Sequence, residues 1–421
     1  MSAKSKRTSL VVWILASLLG AALIIPPLVA WLVTSFVELT GGERQNRPAV
    51  AQQDLLKLRG ASDAQSEIEL RGIYSQLMKR TKAEYDKYLA GEREKPPVIN
   101  FLVVSSGGDY GAFGAGLLKG WLKVPPAHPL AKPEFDVVTG VSAGTLIAPF
   151  AFLGDAESID HLVSLFRSPH PDWVKKRGPL YFLPDNVSFA AIPGLEREVR
   201  RQITIDVLRR IAAAGAGGRI LVVNTTNLDE GTSRVFNLVT EAQRAVESGD
   251  LDRFSNIMLA SAGVPGVFPF RIIDGTLYVD GGVTGNILYG GRGDEDDKLP
   301  AMWQKAYPDV PIPKIRMWII FNNQFRPRPE LTEPNWPAVV RRSLETGTRA
   351  STAIALRHLY AMAEIARLKR KADIEVYVVS IPDDWAAPVG GTFAKETMNN
   401  LVDLGEKMGA DPSSWSTRPP W

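Results

Sequence analysis

Residues 135–154, FDVVTGVSAGTLIAPFAFLG, constrain the fold of this chain more than any other stretch. Aromatic and β-branched side chains dominate residues 135–139 and predict a short buried strand, while the apolar, uncharged residues 145–153 predict a helix. Ser142 sits between them with Gly140 and Gly144 on either side. A strand that becomes a helix within so few residues must turn sharply, and small neighbours allow a serine to sit on that turn. Its hydroxyl then projects from the sheet, beside a helix N-terminus that favours negative charge. This is the geometry of a serine nucleophile on its elbow. A Gly-rich packing turn is the alternative.

The chain has 421 residues, 45% of them hydrophobic, which is enough for one large α/β core with appendages or for two domains. Its net charge of +3 is spread among mixed signs and leaves no nucleic-acid footprint. There is no cysteine, which excludes disulfides, thiolate metal sites and a cysteine nucleophile.

Residues 8–37 carry no charge and follow Lys4, Lys6 and Arg7. The run exceeds the core of a cleaved signal peptide, about 7 to 15 residues, and can cross a hydrocarbon layer of about 30 Å. It predicts a single membrane-spanning helix, kinked at Pro26 and Pro27, with Trp13 and Trp31 at the two interfaces. The positive cluster places the N-terminus in the cytoplasm and the remainder outside it, which for a bacterial inner membrane is the periplasmic side. A long cleaved signal peptide and a buried core helix are the alternatives. Residues 44–97 are polar, with apolar residues near helical spacing, and read as a helical stalk, an arm lying on the domain or a solvated linker.

A second serine-bearing turn lies upstream of Ser142. Residues 98–105, VINFLVVS, predict a buried strand that feeds into Ser106, Gly107, Gly108, Asp109, Tyr110 and Gly111, then a helix over 112–122. Backbone N–H groups gathered at such a turn form an anion site. The spacing matches neither a dinucleotide fingerprint nor a phosphate loop. An oxyanion hole for a carbonyl under attack is therefore the better reading.

Further along, residues 155–201 read as a cap, 196–214 as one helix, and 219–224 as a strand with an antiparallel partner at 234–238. A small-residue helix begins at 257 and gives way to a turn at 264–266, and residues 277–282 place Asp280 at a strand end before two glycines. Strands at 315–322 and 374–381 bracket a helix over 337–371. The acidic residues of 293–298 lack calcium-loop spacing. Residues 411–421 read as loose.

The ordered set SSGGDYGAFGAG, GVSAG, ASAGVPGVFP and DGG resembles the patatin-like phospholipases, from about residue 98 to at least 288. That resemblance implies a three-layer α/β/α fold with a mostly parallel central sheet and a Ser-Asp dyad without histidine. Ser142 matches the nucleophile, Asp280 the base, and Gly107, Gly108 and Asp109 the oxyanion hole, with Gly140 and Gly144 forming the elbow. Membrane lipids or other fatty-acyl esters become the expected substrates, with no cofactor or metal. Two positions depart from the family pattern: Ser106 replaces its usual first glycine and Tyr110 its usual basic residue. The implied division is an N-terminal tip and anchor at 1–40, a stalk or linker at 41–97, an acyl hydrolase domain at 98–390 and a tail at 391–421.

The residues support this chemistry directly. A serine hydroxyl needs a base within hydrogen-bond reach, and a carboxylate can serve. An α/β-hydrolase triad is the rival, since Ser142, Asp280 and His358 follow its chain order. His358 falls within a long helical stretch, however, where a triad histidine belongs on a loop. His128, His161 and His170 lie in loop and cap segments. A catalytically silent lipid-binding scaffold is the third reading, motivated by Ser106 and Tyr110. Oligomeric state is left open.

Overall fold

The computed structural model describes residues 25–31, 52–178, 187–290 and 298–419. Most of the expected membrane-spanning run, and the acidic residues 294–297, lie outside them; residues 25–31 are helical. Among the described residues no helix is long and apolar enough to cross a membrane.

In chain order the strands are β1 (Val98–Val104), β2 (Val137–Val141), β3 (Lys175–Lys176), β4 (Ala190–Ala191), β5 (Ile220–Asn227), β6 (Thr232–Asn237), β7 (Arg271–Ile273), β8 (Thr276–Asp280), β9 (Lys314–Phe321) and β10 (Ile374–Ser380). The helices before β5 are α1 (Gln52–Leu89), α2 (Gly111–Trp121), α3 (Ala143–Leu153), α4 (Ala156–Arg167), α5 (Pro193–Gln202) and α6 (Ile205–Ala216). Those after it are α7 (Leu238–Ser248), α8 (Asp252–Ser261), α9 (Leu299–Ala306), α10 (Trp336–Arg370) and α11 (Lys395–Gly409).

Strands β10, β9, β1, β2 and β5 lie in that order and run parallel. Beyond β5 the sheet turns antiparallel, with β6 and β8 both paired to β5 and β7 paired to β8. The central strands read as near-continuous apolar runs because both of their faces are covered. In β1, Leu102 and Val104 join a core with α2, α3, α4 and α11, while Ile99, Phe101 and Val103 join a second core with α1, α9 and α10. The fold is thus the expected three-layer α/β, with a mixed, mostly parallel sheet.

One pairing decides where the site forms. β2 pairs with β5 as far as Val141 opposite Asn224, and β8 takes over the same edge of β5 with Asp280 opposite Thr225. The last residues of β2 and β8 therefore meet head to head. Ser142 follows the first and Asp280 ends the second.

Two expectations need revision, and one open reading, the arm lying on the domain, is favoured over its alternatives. Of residues 411–421, expected to be loose, the described 411–419 are docked: Ser416 pairs with Val378, and Trp415 is buried with its ring 4.5 Å from that of Trp121; the expected tail from 391 also contains α11, which packs on α2. A Cβ on Gly116 or Gly120 would run into the α11 backbone, so glycine lets the two helices touch. The helix expected over 196–214 is broken, because the Thr204 side chain accepts the Val207 N–H and starts α6 anew. The stretch at 44–97 contains the 38-residue α1, whose Leu77 and Met78 are buried against the sheet, so its C-terminal half lies on the domain.

Candidate functional site

Ser142 adopts φ 54° and ψ −121°, a positive φ that a residue with a side chain adopts only when its surroundings force it. The flanking glycines supply that force. A Cβ on Gly140 would lie 2.5 Å from the Gly144 carbonyl oxygen, and one on Gly144 would strike the Val104 carbonyl. The chain can turn this tightly only with glycine at both positions. Ser142 N–H donates to Ser261 Oγ at 3.1 Å, and Ser261 Oγ in turn donates to the Asn224 carbonyl at 2.7 Å.

Asp280 reaches the same place with a negative φ, −46°, and ψ 132°. Its N–H donates to the Gly263 carbonyl at 2.9 Å, and its own carbonyl accepts Thr226 Oγ1 at 2.9 Å. Oδ1 accepts the Gly282 N–H at 2.7 Å. Oδ2 is buried without a hydrogen bond. Burial pushes the carboxyl up to about 6, while the neighbouring Ser142 side chain and the Gly282 N–H draw it back down. No hydrogen bond joins Ser142 to Oδ2; such bonds often close only when substrate binds.

Between them, Ser261 and Gly263 hold one backbone amide each of Ser142 and Asp280. Asn224 completes the joint, its Nδ2 donating to the Gly281 carbonyl at 2.9 Å. Ser261 and Gly263 lie in the motif ASAGVPGVFP, to which sequence alone assigns no task, and Asn224 ends an apolar strand. An Asn closing an apolar run was the available signal for a buried amide with a structural duty.

The Gly-rich turn lies across the same cavity. Gly108 has φ +59°, open space where a Cβ would be, and a place beside Ser142 in the cavity wall. A Cβ on Gly107 would lie 2.5 Å from Asn322 Cβ. Among the described residues, the N–H groups of Gly107 and Gly108 enter no hydrogen bond. Asp109 differs. Its carboxylate accepts the Phe393 N–H at 2.9 Å and is drawn down by its own N–H and that of Tyr110, though burial raises it more. That leaves Gly107 and Gly108 as the freer donors and makes Asp109 a clip on the 393 loop. Ser106 is clipped as well: its Oγ donates to Asn286 Oδ1 at 2.7 Å and its N–H to the Asn286 carbonyl at 3.1 Å.

The cavity over Ser142 is apolar and narrow, with a volume of about 40 Å³. Leu165, Phe166, Trp173, Leu195 and Val199 from the expected cap line it, together with Phe268 and Phe393. None of the four histidines bonds to Ser142 or Asp280: His358 Nδ1 pairs with the Tyr289 hydroxyl at 2.9 Å, and His128, His161 and His170 pair with Leu130, Gln202 and Asp172. Among the described residues no cluster of His, Asp and Glu is suited to a metal.

Comparison with known proteins supports this reading of the fold. Residues 102–290 match the family model described as patatin-like phospholipase. Among solved structures, the crystal structure of VipD from Legionella pneumophila aligns over 76% of this chain and 68% of that one, at 11% identity and a TM-score of 0.32. A likeness that slight carries no argument. No curated protein matches the chain.

Proposed function

We propose that this chain, which carries a patatin-like phospholipase domain at residues 102–290, hydrolyses carboxylic esters of lipids through Ser142 and Asp280. The observation that carries the reading is the head-to-head meeting of β2 and β8 on β5, which sets a strained serine beside a buried, half-satisfied carboxylate.

Asp280 Oδ2 takes the Ser142 proton as Oγ attacks the ester carbonyl. The Gly107 and Gly108 amides receive the oxyanion, and the α3 N-terminus adds its partial positive charge. Collapse of the tetrahedral intermediate expels the alcohol, which takes the proton back from Asp280. Water, deprotonated by the same carboxylate, then clears the acyl-enzyme. The apolar cavity suits an acyl chain, and its narrowness means that cap residues must move apart to admit one.

The test is release of product from a chromogenic medium-chain ester and from a phospholipid by the full chain in detergent. Ser142→Ala and Asp280→Asn should each lose about 1000-fold or more, and His358→Asn should keep wild-type rates. Loss in all three would favour the triad. A folded wild type that turns over neither substrate would favour the silent scaffold.

The uncharged residues 8–37 support a further part of the reading, a single-pass anchor with the hydrolase domain on the periplasmic side of a bacterial inner membrane. Protease added to spheroplasts should then digest the domain. Protection from that protease would reverse the orientation.

A further inference from the structure

Helix α10 has two apolar faces. Leu356, Leu359 and Ala363 are buried against the sheet. Trp336, Val339, Val340, Leu344 and Ile354 are 67%, 49%, 48%, 55% and 66% exposed. At about 100° per residue these five fall within an arc of roughly 140°, on the side opposite the buried three. No residue of 336–351 is buried, so about four turns of this helix contribute nothing to the core. A helix that keeps a second apolar stripe along its solvent side is built to meet something.

Its position narrows what that is. β9 and β10 are parallel, so the helix joining them must begin at the C-terminal edge of the sheet, the edge that carries Ser142. It is tied to the Gly-rich turn there: Asn286 Nδ2 donates to the Thr348 carbonyl at 2.8 Å while Asn286 Oδ1 accepts from Ser106 Oγ. Charge narrows it further. Residues 326–349 hold Arg326, Arg328, Arg341, Arg342 and Arg349 against Glu330, Glu333 and Glu345. Arg341 and Arg342 border the apolar arc on its two sides, where long cationic stems can lie along lipid and lift their heads to phosphate. Both now pair with Glu330 and Glu345.

We propose that the outward face of α10 is an interfacial docking surface that seats the protein on an anionic lipid bilayer with the mouth of the Ser142 cavity toward the membrane. The inference deepens the hydrolase reading and rests on it for its purpose.

The absence of cysteine makes a direct test simple. The full chain with Val340→Cys, labelled with an environment-sensitive fluorophore, is reconstituted into phosphatidylglycerol or phosphatidylcholine vesicles; Asp206→Cys, exposed on α6, is the control. In phosphatidylglycerol the label at 340 should shift to shorter wavelength and be quenched by spin-labelled acyl chains. The label at 206 should not, and the shift in phosphatidylcholine should be smaller. A label at 340 that stays as wet as the control overturns the proposal, an equal shift in both lipids overturns its anionic part, and a shift that grows with protein concentration in detergent alone assigns the face to a second copy. Independently, Trp336→Glu with Leu344→Glu should lower turnover of vesicle ester about ten-fold and leave a monomeric ester within about two-fold. Equal losses on both substrates would overturn docking. If the wild type cleaves neither ester while the label at 340 still enters phosphatidylglycerol, the docking surface stands and the hydrolase reading falls.

Discussion

The turn that carries Ser142 and the turn that carries Asp280 end within reach of each other, and the balance of what holds them differs: both use a hydrogen-bonded amide and a glycine pressed on backbone, at Gly144 and Gly281, but only Ser142 itself takes a positive φ. Ser142 is held sterically: its backbone is strained, and Gly140, Gly144 and Val104 approach so closely that no side chain fits between them. Asp280 is held chiefly by polar contacts: its backbone keeps a negative φ, and Gly263, Thr226 and Gly282 each contribute a hydrogen bond. The contrast suits the two proposed tasks. A nucleophile must stand at one point, and close packing fixes a point. A base must change its protonation, and hydrogen bonds to one of its oxygens steady it while the other stays free to take a proton.

The contrast can be broken most forcefully at Asp280. Asp280→Asn keeps the size and most of the polar frame but removes the charge, so turnover should fall by about 1000-fold or more while the protein folds. Its stability should rise at neutral pH. Burial raises the Asp280 pKa to about 6, so the folded state binds the proton more tightly than the unfolded chain. The contribution of this group is therefore fully present below about pH 4 and lost as pH rises through about 6, an effect on the order of 3 kcal/mol at most. Chemical denaturation at pH 5 and pH 8 should show the wild type losing stability relative to Asp280→Asn at the higher pH. A variant less stable than wild type at pH 8 would mean that the carboxylate is a structural anchor.

The steric side is tested at Gly144. Gly144→Ala should cost about 3 kcal/mol or more, since its Cβ would meet backbone that cannot yield. Gly282→Ala meets side-chain oxygens rather than backbone, Asn286 Oδ1 at 2.8 Å and Asp280 Oδ1 at 3.0 Å, and should cost less than Gly144→Ala. Equal denaturation midpoints for the two would remove the distinction.

A milder test reads the proton-transfer step itself. Activity on a soluble ester should decline as pH falls through about 6, because a protonated Asp280 cannot accept from Ser142. A flat profile from pH 5 to 8 would point to another base. The smallest effect is expected at Ser261, which touches neither substrate nor the reacting oxygen. Ser261→Ala should lower kcat about ten-fold with KM little changed, as the Ser142 amide loses its acceptor. Thr145 Oγ1, 2.6 Å from Ser261 Oγ, limits the damage.

How much of this was legible in sequence follows the same division. The strands at 98–105, 219–224, 315–322 and 374–381 were visible because both faces of each are buried and the apolar runs are nearly unbroken. Ser142 and Asp280 were visible because glycines mark a tight turn in any context. Ser261, Gly263 and Asn224 were not assigned, since a small polar residue in a buried segment looks alike whether its hydrogen bond closes a helix or joins two strands. Helix α11 was missed for a related reason. Gly405 and Gly409 meet the backbone of Phe113, Leu117 and Trp121 while Gly116 and Gly120 meet that of Val402 and Glu406, so the glycines permit backbone contact between two helices, a property of the pair and of neither segment alone.

The head-to-head joint on β5 also sets the order in which the molecule can become active. The Ser142 amide finds its acceptor 119 residues down the chain, and Asp280 lies further still. Such distant partners are brought together after the local helices have formed. A chain that has built β1, β2 and β5 but not yet docked β8 has a serine with no base. On the proposed mechanism, ester turnover during refolding should accordingly return after the helical signal, and would stay silent until β8 is in place.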